Sequence, residues 1–235
     1  SVLHRALELA VMWGWLPANP SDRVVKPQYK PERTQVWNEW ELAAFLSGTK
    51  DHWLHPYWLL SIVTGCRPGE LRALTWQDVD LAGQTIAVTK TLQRINGKWT
   101  RTAPKTASGA RQIALPAEGV AALKSQAVQQ RTWRQEVENW PEHDLVFTSK
   151  TGKPLHAAIV ARKLKTECEH LGVRHLPPHG LRHLHASLLL KEGLPVPAVS
   201  ARLGHANPNI TLAVYAHVVG EQDKEAAETI GMFLR

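Results

Sequence analysis

Apolar positions recur at helical spacing along most of the chain and switch to alternation in one central stretch, which predicts a mainly helical α+β protein. Leu3, Leu7, Ala10 and Val11 predict a helix from Ser1 to Gly14 with no capping residue before it, as though it continued an upstream domain. Pro17, Pro20, Pro27 and Pro31 follow. Proline removes an amide donor and disfavours helix before it, so residues 16–35 are expected to be an extended linker. Asn38 with Glu41 three residues on has the form of a capping box, and Leu42, Phe45 and Leu46 supply the apolar face of the helix it starts. The expected organisation is a residual helix of an upstream domain at 1–15, the linker at 16–35, and a second domain at 36–235.

Trp53 to Val63 predicts a strongly apolar helix ended by Gly65, and Pro68 suits the first turn of a short helix reaching Leu74. Between Gln84 and Leu115 the period changes. Ile86 and Val88 alternate with polar neighbours, Asn96-Gly97 is a hairpin turn, and Gln112 to Leu115 closes a further strand, giving a small antiparallel sheet of about three strands. Helical spacing returns over 117–137, 155–171, 180–192, 196–203, 208–218 and 222–233, punctuated by Gly172, Pro177-Pro178, Gly193 and Gly204.

The chain has 235 residues, 43% of them hydrophobic, with no run long enough to span a bilayer, so a soluble globular protein is expected. A net charge of +7 and a pI near 9.6 suit an acidic partner. Cys66 and Cys168 match neither a zinc spacing nor a disulfide framework, and no signal peptide opens the chain, so a reducing cytoplasm is the default. Among the twelve histidines, His183 and His185 diverge on a helix, and neither HExxH nor paired CxxC occurs, so no metal or other cofactor is expected.

Candidate chemistry lies in a few short contexts. In the helix from Gly180, Leu181, Leu184 and Leu188 form an apolar stripe, which places His179 and Arg182 roughly opposite it, away from the core. A phosphate docked there would meet free amides and the positive end of the helix dipole. Arg67 precedes Pro68, and Glu70 is spaced to reach back to its guanidinium. Two guanidiniums suit phosphate because each offers paired planar donors and keeps its charge. Taken singly, each motif also fits a solvated helix face or a surface ion pair.

The order of these contexts is what distinguishes them: Thr64-Gly65-Cys66-Arg67-Pro68-Gly69-Glu70, Pro104-Lys105-Thr106, His179-Gly180-Leu181-Arg182-His183, Leu203-Gly204-His205 and Thr211-Leu212-Ala213-Val214-Tyr215-Ala216-His217. Over about the last two hundred residues this resembles the catalytic domain of the tyrosine recombinases of the phage integrase family. The resemblance implies that Tyr215 attacks a phosphodiester, that Arg67 and Arg182 clamp its oxygens with Glu70 supporting Arg67, and that His205 donates a hydrogen bond to the phosphate. It leaves open whether His179 acts as base or orients the phosphate. Lys105 corresponds to the family's catalytic lysine, with Lys90 and Lys98 as rival positions. His217 receives no chemistry.

The implied function is site-specific DNA recombination through a 3′-phosphotyrosyl intermediate, with the Thr-Leu-x-x-Tyr form leaning toward a phage or mobile-element integrase. Type IB topoisomerase-like relaxation and a catalytically silent DNA-binding module are the alternatives. Grip on DNA is expected from Arg94, Lys98, Arg101, Arg111, Arg162, Lys163 and Lys165. Double-stranded DNA and further copies in a tetrameric synapse are the implied partners, in a cytoplasmic, nucleoid-associated setting without a membrane. The segment with Ala226, Ala227, Ile230 and Phe233 resembles a terminal helix passed to a neighbouring protomer. Trp37, Trp40, Trp53 and Trp58 are expected in packing roles.

Overall fold

The structure, a computed structural model, describes residues 2–25, 35–104, 109–212 and 232. The chain falls into two units, Ser1–Arg33 and Thr34–Arg235. In the first, α1 (Val2–Met12) is followed by a 3-10 turn, Pro20–Arg23. The extended path expected after Leu16 is interrupted here because Asn19 caps that turn and donates to the His4 carbonyl at 3.1 Å, drawing the chain back along α1. Trp13 and Trp15 are exposed and meet edge to face.

The second unit begins with α2 (Glu39–Gly48), whose capping box of Asn38 and Glu41 is present in both directions. Then come α3 (His55–Thr64), α4 (Pro68–Ala73), five short strands, β1 (Val79–Asp80), β2 (Thr85–Val88), β3 (Thr91–Ile95), β4 (Lys98–Thr102) and β5 (Arg111–Ala114), and four helices, α5 (Ala117–Glu136), α6 (Ala157–His170), α7 (Pro178–Lys191) and α8 (Val196–Leu203). Helix α3 is the hub, packing against both α5 and α7. Phe45, Tyr57, Trp58, Leu60, Leu164, Leu181 and Leu184 build the core around it. Trp37, Phe45 and Trp58 form an aromatic chain with centroid separations of 4.5 and 5.4 Å. Trp40 departs from its expected packing role, being 64% exposed.

The strands form two sheets where a single one was expected. One has the order β1-β2-β5, all antiparallel, with Ile86 opposite Ile113 on the buried face. The hairpin β3-β4 stands apart from it and turns through Asn96 and Gly97, both at positive φ as a two-residue I′ turn requires. Its separation has a visible cause. The buried Arg72 of α4 spends its donors on three backbone carbonyls, Pro68, Leu155 and Leu92, and so holds β3 against α4. The expected helices at 208–218 and 222–233 are seen only from 208 to 212 and at Met232, and the rest lies outside the described residues. Cys66 and Cys168 are both free and buried.

Candidate active site

Helix α3 stops at Gly65, which adopts φ 63°, and the chain reverses into Cys66 and Arg67. Only glycine fits this position, for a reason beyond its backbone angle. A Cβ built there would lie 2.5 Å from His185 Cδ2 and 2.9 Å from Leu203 Cδ2. Arg67 then serves as the N-cap of α4. Glu70 reaches back with both oxygens, Oε2 accepting from the Arg67 amide and Oε1 from Arg67 Nη1, each at 2.8 Å. The guanidinium of Arg67 is thereby aimed while its side chain remains 39% exposed. Its other terminal nitrogen approaches the Gly204 carbonyl at 3.4 Å.

Glu70 has a second cation. Arg111, the first residue of β5, donates Nη2 to Glu70 Oε2 at 3.0 Å. Burial pushes the Glu70 carboxyl up, but the two guanidiniums and the Arg67 amide outweigh it and hold the group below its ordinary value of 4.5. Arg111, expected among the cations that grip DNA, is buried instead. Nη1 donates to the Gly109 carbonyl and Nε to that of Arg202, at 3.0 and 2.7 Å.

Helix α7 starts with Pro178 at its first turn, one residue before His179. Arg182, expected opposite the leucine stripe and away from the core, is not solvated. It is 2% exposed, roofed by the Gly65 turn whose carbonyl accepts Nη1 at 2.9 Å. Its Nη2 is buried with no hydrogen-bond partner among the described residues. Burial and the neighbouring Arg67 lower its pKa to about 10, so it stays charged at neutral pH. A buried cationic donor left unpaired costs free energy, which marks the position as one where an anion would be stabilised.

Gly204 closes α8 in the left-handed conformation at φ 69°, and His205 follows it with Nδ1 2.7 Å from Thr211 Oγ1. Burial, then Arg182, Arg67 and Arg111, push His205 down to about 4. His179 is likewise pushed to about 4, by burial, His183, Arg182 and Arg67. Both rings are neutral at pH 7 and able to donate and accept hydrogen bonds. Four segments far apart in sequence thus bring Arg67, Arg111, Arg182, His179 and His205 within one electrostatic environment, in which Glu70 opposes the arginines.

Tyr215 and Lys105 lie outside the described residues. The rival lysines are exposed, with Lys98 beside the hairpin tip. Of the expected gripping residues, Arg94 folds over its own turn onto the Gly97 carbonyl at 3.0 Å, Arg101 pairs with Asp78 at 3.1 Å, and Lys165 pairs with Glu169 at 3.7 Å. Arg162 is exposed and Lys163 half-buried on α6. Among the described residues no group of three His, Cys, Asp or Glu side chains is placed to hold a metal. Nor is any helix among them long and apolar enough to cross a membrane. Sequence reasoning missed the structural parts played by Arg111, His185, Arg202 and Thr211. Nothing local marks them, since Arg111 meets Glu70 across 41 positions and Arg202 meets Val63 across 139.

Residues 38–222 match the phage integrase family. A tyrosine recombinase XerC-like protein of Caldanaerobacter subterraneus subsp. tengcongensis is 29% identical over 94% of this chain and 61% of its own length. The integrase of Staphylococcus phage L54a is 31% identical over 72% of this chain and 49% of its own length, and an integrase of Streptomyces ambofaciens is 31% identical over 92% and 58%. The chain therefore spans about half to three fifths of the curated relatives it matches. In fold it is similar to the Tn1549 transposon integrase solved with transposon right end DNA, with a TM-score of 0.80 at 22% identity, covering 97% of this chain and 76% of that one. A lambda integrase tetramer bound to a Holliday junction gives a TM-score of 0.61 at 19% identity over 90% of this chain and 56% of that one.

Proposed function

The chain belongs to the phage integrase family, the tyrosine recombinases of phages and mobile elements, and from that premise we propose that it cuts and rejoins DNA strands through a covalent bond to Tyr215. Residues 36–235 are the catalytic domain in this reading. The observation that carries it is the Nη2 of Arg182, buried without a partner among the described residues, in a cluster with Arg67, His179 and His205. Such a cluster suits a phosphodiester, whose non-bridging oxygens accept from the two guanidiniums and from neutral histidines.

The Tyr215 hydroxyl gives up its proton, to the neutral His179 ring or to water, and its oxygen attacks phosphorus, the bond to the 5′ oxygen breaks, and a 3′-phosphotyrosyl bond forms. The departing oxygen takes a proton from Lys105 and leaves as a hydroxyl. A 5′ hydroxyl of a partner duplex then attacks the same phosphorus and returns its proton to Lys105, the bond to Tyr215 breaks, and the phenol oxygen takes back the proton it gave up. Arg67 and Arg182 stabilise the added negative charge of the pentacoordinate transition state, and His179 and His205 hold the phosphate in line. The energy of the broken bond is kept in the phosphotyrosyl link, so the reaction consumes no nucleotide. The fixed guanidiniums supply the positive charge, so it proceeds without a divalent metal. Double-stranded DNA is the substrate and a tetramer of this protein on DNA the working assembly.

The test is incubation with supercoiled plasmid in EDTA, quenching with detergent, and detection of protein covalently joined to DNA. The native chain is expected to give an adduct and Tyr215→Phe none, with DNA binding retained. An adduct formed equally by Tyr215→Phe would remove the assignment. Relaxed plasmid without strand exchange between molecules would support a topoisomerase-like activity, and binding without any adduct a non-catalytic DNA-binding module.

A further inference from the structure

Among the described residues, Arg202 bonds to α3, β5 and α7, the elements that lead into Arg67 or carry Arg111, His179 and Arg182. It lies on α8, half-buried, three residues before His205. Its Nη2 donates to the Val63 carbonyl at 3.0 Å, near the end of the helix that leads into Gly65 and Arg67. The same nitrogen donates to the Ala114 carbonyl at 3.1 Å, on the strand that begins with Arg111. Its Nε donates to His185 Nε2 at 3.2 Å, on the helix that carries His179 and Arg182. Its own carbonyl accepts from Arg111 Nε at 2.7 Å, and Arg111 in turn holds Glu70.

We propose that Arg202 is a positioning residue for phosphate binding and strand cleavage, a single side chain that sets the spacing of the segments bearing Arg67, Arg111, Arg182 and His205. The inference rests on the reading of this cluster as a phosphodiester site. His185 is its partner in the task. Because Arg202 Nε can only donate, His185 Nε2 must accept, which leaves the ring proton on Nδ1 for the Ile62 carbonyl at 2.8 Å. The imidazole is thus a spacer with one hydrogen bond to α3 and one to α8, and its 5% exposure keeps water from replacing either. Burial and Arg202 push its pKa to about 4, which keeps this neutral form at physiological pH.

An arginine suits the position where a lysine would not. A planar fork reaches α3, β5 and α7 at once, whereas an ammonium on a flexible stem cannot hold the same three acceptors in one plane. Losing the fork leaves two carbonyls and an imidazole nitrogen in competition for donors, and the segments are then free to settle at other separations. The consequence falls on the phosphate site, where small displacements of the reacting groups are amplified in rate.

The experiment compares the native chain with Arg202→Met and Arg202→Lys, using Val199→Ala as a control. Val199 is fully buried beside Leu203 on the same helix and takes no part in the clamp. Two readouts are taken per folded molecule. The first is the affinity for inorganic phosphate, followed by the side-chain NMR signals of His179 and His205. The second is the rate constant of covalent adduct formation on supercoiled plasmid.

Arg202→Met is expected to weaken phosphate binding about tenfold and to slow adduct formation on the order of a hundredfold. Arg202→Lys should fall between it and the native chain. Val199→Ala should lower the melting temperature while leaving both readouts at native values. A merely structural Arg202 would reduce the folded fraction and leave both per-molecule quantities unchanged, and that result would overturn the inference. Should Arg202→Met fail to fold, native values for Arg202→Lys would overturn it equally. A native chain that binds phosphate but forms no adduct would remove the recombinase reading and leave the inference to be decided by phosphate alone. A native chain that does not bind phosphate would overturn both.

Discussion

Arg111 and Glu70 form a buried ion pair at 3.0 Å, joining the first residue of β5 to the first turn of α4 with both side chains almost sealed from water. Removing one member strands the other's charge in that environment. Glu70→Ala is therefore expected to destabilise the protein by about 3 kcal/mol, and Glu70→Gln by less because the amide oxygen still accepts one donor. Urea unfolding of both variants checks the order. The pH dependence has a fixed sign: the folded carboxyl titrates below its ordinary 4.5, so the stabilisation is full above 4.5 and is lost as pH falls through the lowered value. Native and Glu70→Gln proteins should converge in stability in strong acid.

Gly65→Ala separates two demands made on one residue. The left-handed backbone alone costs an alanine about 1–2 kcal/mol. The added methyl would also meet the rings and branches of His185 and Leu203, both of them fixed in the interior. The substitution should destabilise beyond the backbone figure. It should also impair adduct formation per folded molecule, since Arg67 hangs from this turn and Arg182 bonds to its carbonyl. Loss limited to the backbone figure with native adduct formation would mean that His185 and Leu203 yield without consequence.

Most of the helices were legible from the sequence because their signals are local. Asn38 with Glu41, the Gly65 and Gly204 stops, and Pro68 at a first turn each act within a few residues. The Asn96-Gly97 turn was legible for the same reason, but which sheet its strands would join was not, because that is settled by Arg72 bonding to Leu92 from α4. The candidate site divides likewise. Arg67, Glu70, His179, Arg182 and His205 announce themselves in short motifs, whereas the burial of Arg182 depends on the Gly65 turn folding over it. Arg111 illustrates the limit most plainly. Expected among the cations that grip DNA, it pairs internally with Glu70.

Thr211 is expected to set the proton position on His205. The two meet across 2.7 Å, and a threonine hydroxyl that donates to Nδ1 leaves the ring proton on Nε2, where it can serve a phosphate oxygen. Thr211→Val keeps the shape of this fully buried side chain and removes only the hydroxyl's bond. The nitrogen NMR shifts of His205 should then report a mixture of tautomers, with adduct formation slowed about tenfold, the lower end of what a misplaced proton donor costs. An unchanged tautomer in the variant would show that the hydrogen bond runs the other way, from the ring to the hydroxyl.

Anion binding and acid stability should be linked through the same histidines. His179, His185 and His205 are each held near 4, below the ordinary 6.5, so between these values the unfolded chain binds protons that the folded chain refuses. Stability is full above pH 6.5, declines as pH falls toward 4, and loses nothing further from these groups below that. A bound anion opposes the arginine charges that depress His179 and His205, raising both pKa values and drawing protons into the complex. Sulfate keeps its charge across this window and serves as the probe. It should bind more tightly as pH falls from 6.5, with proton uptake measurable by calorimetry in buffers of different ionisation enthalpy, and it should flatten the decline in melting temperature. His185 bonds to Arg202 and the Ile62 carbonyl and feels Arg182 and Arg111 less than it feels Arg202, so sulfate should displace its titration far less than those of His179 and His205. Equal displacement of all three histidines would point to a general stabilisation of the fold, and displacement chiefly of His179 and His205 would place the anion between Arg67 and Arg182.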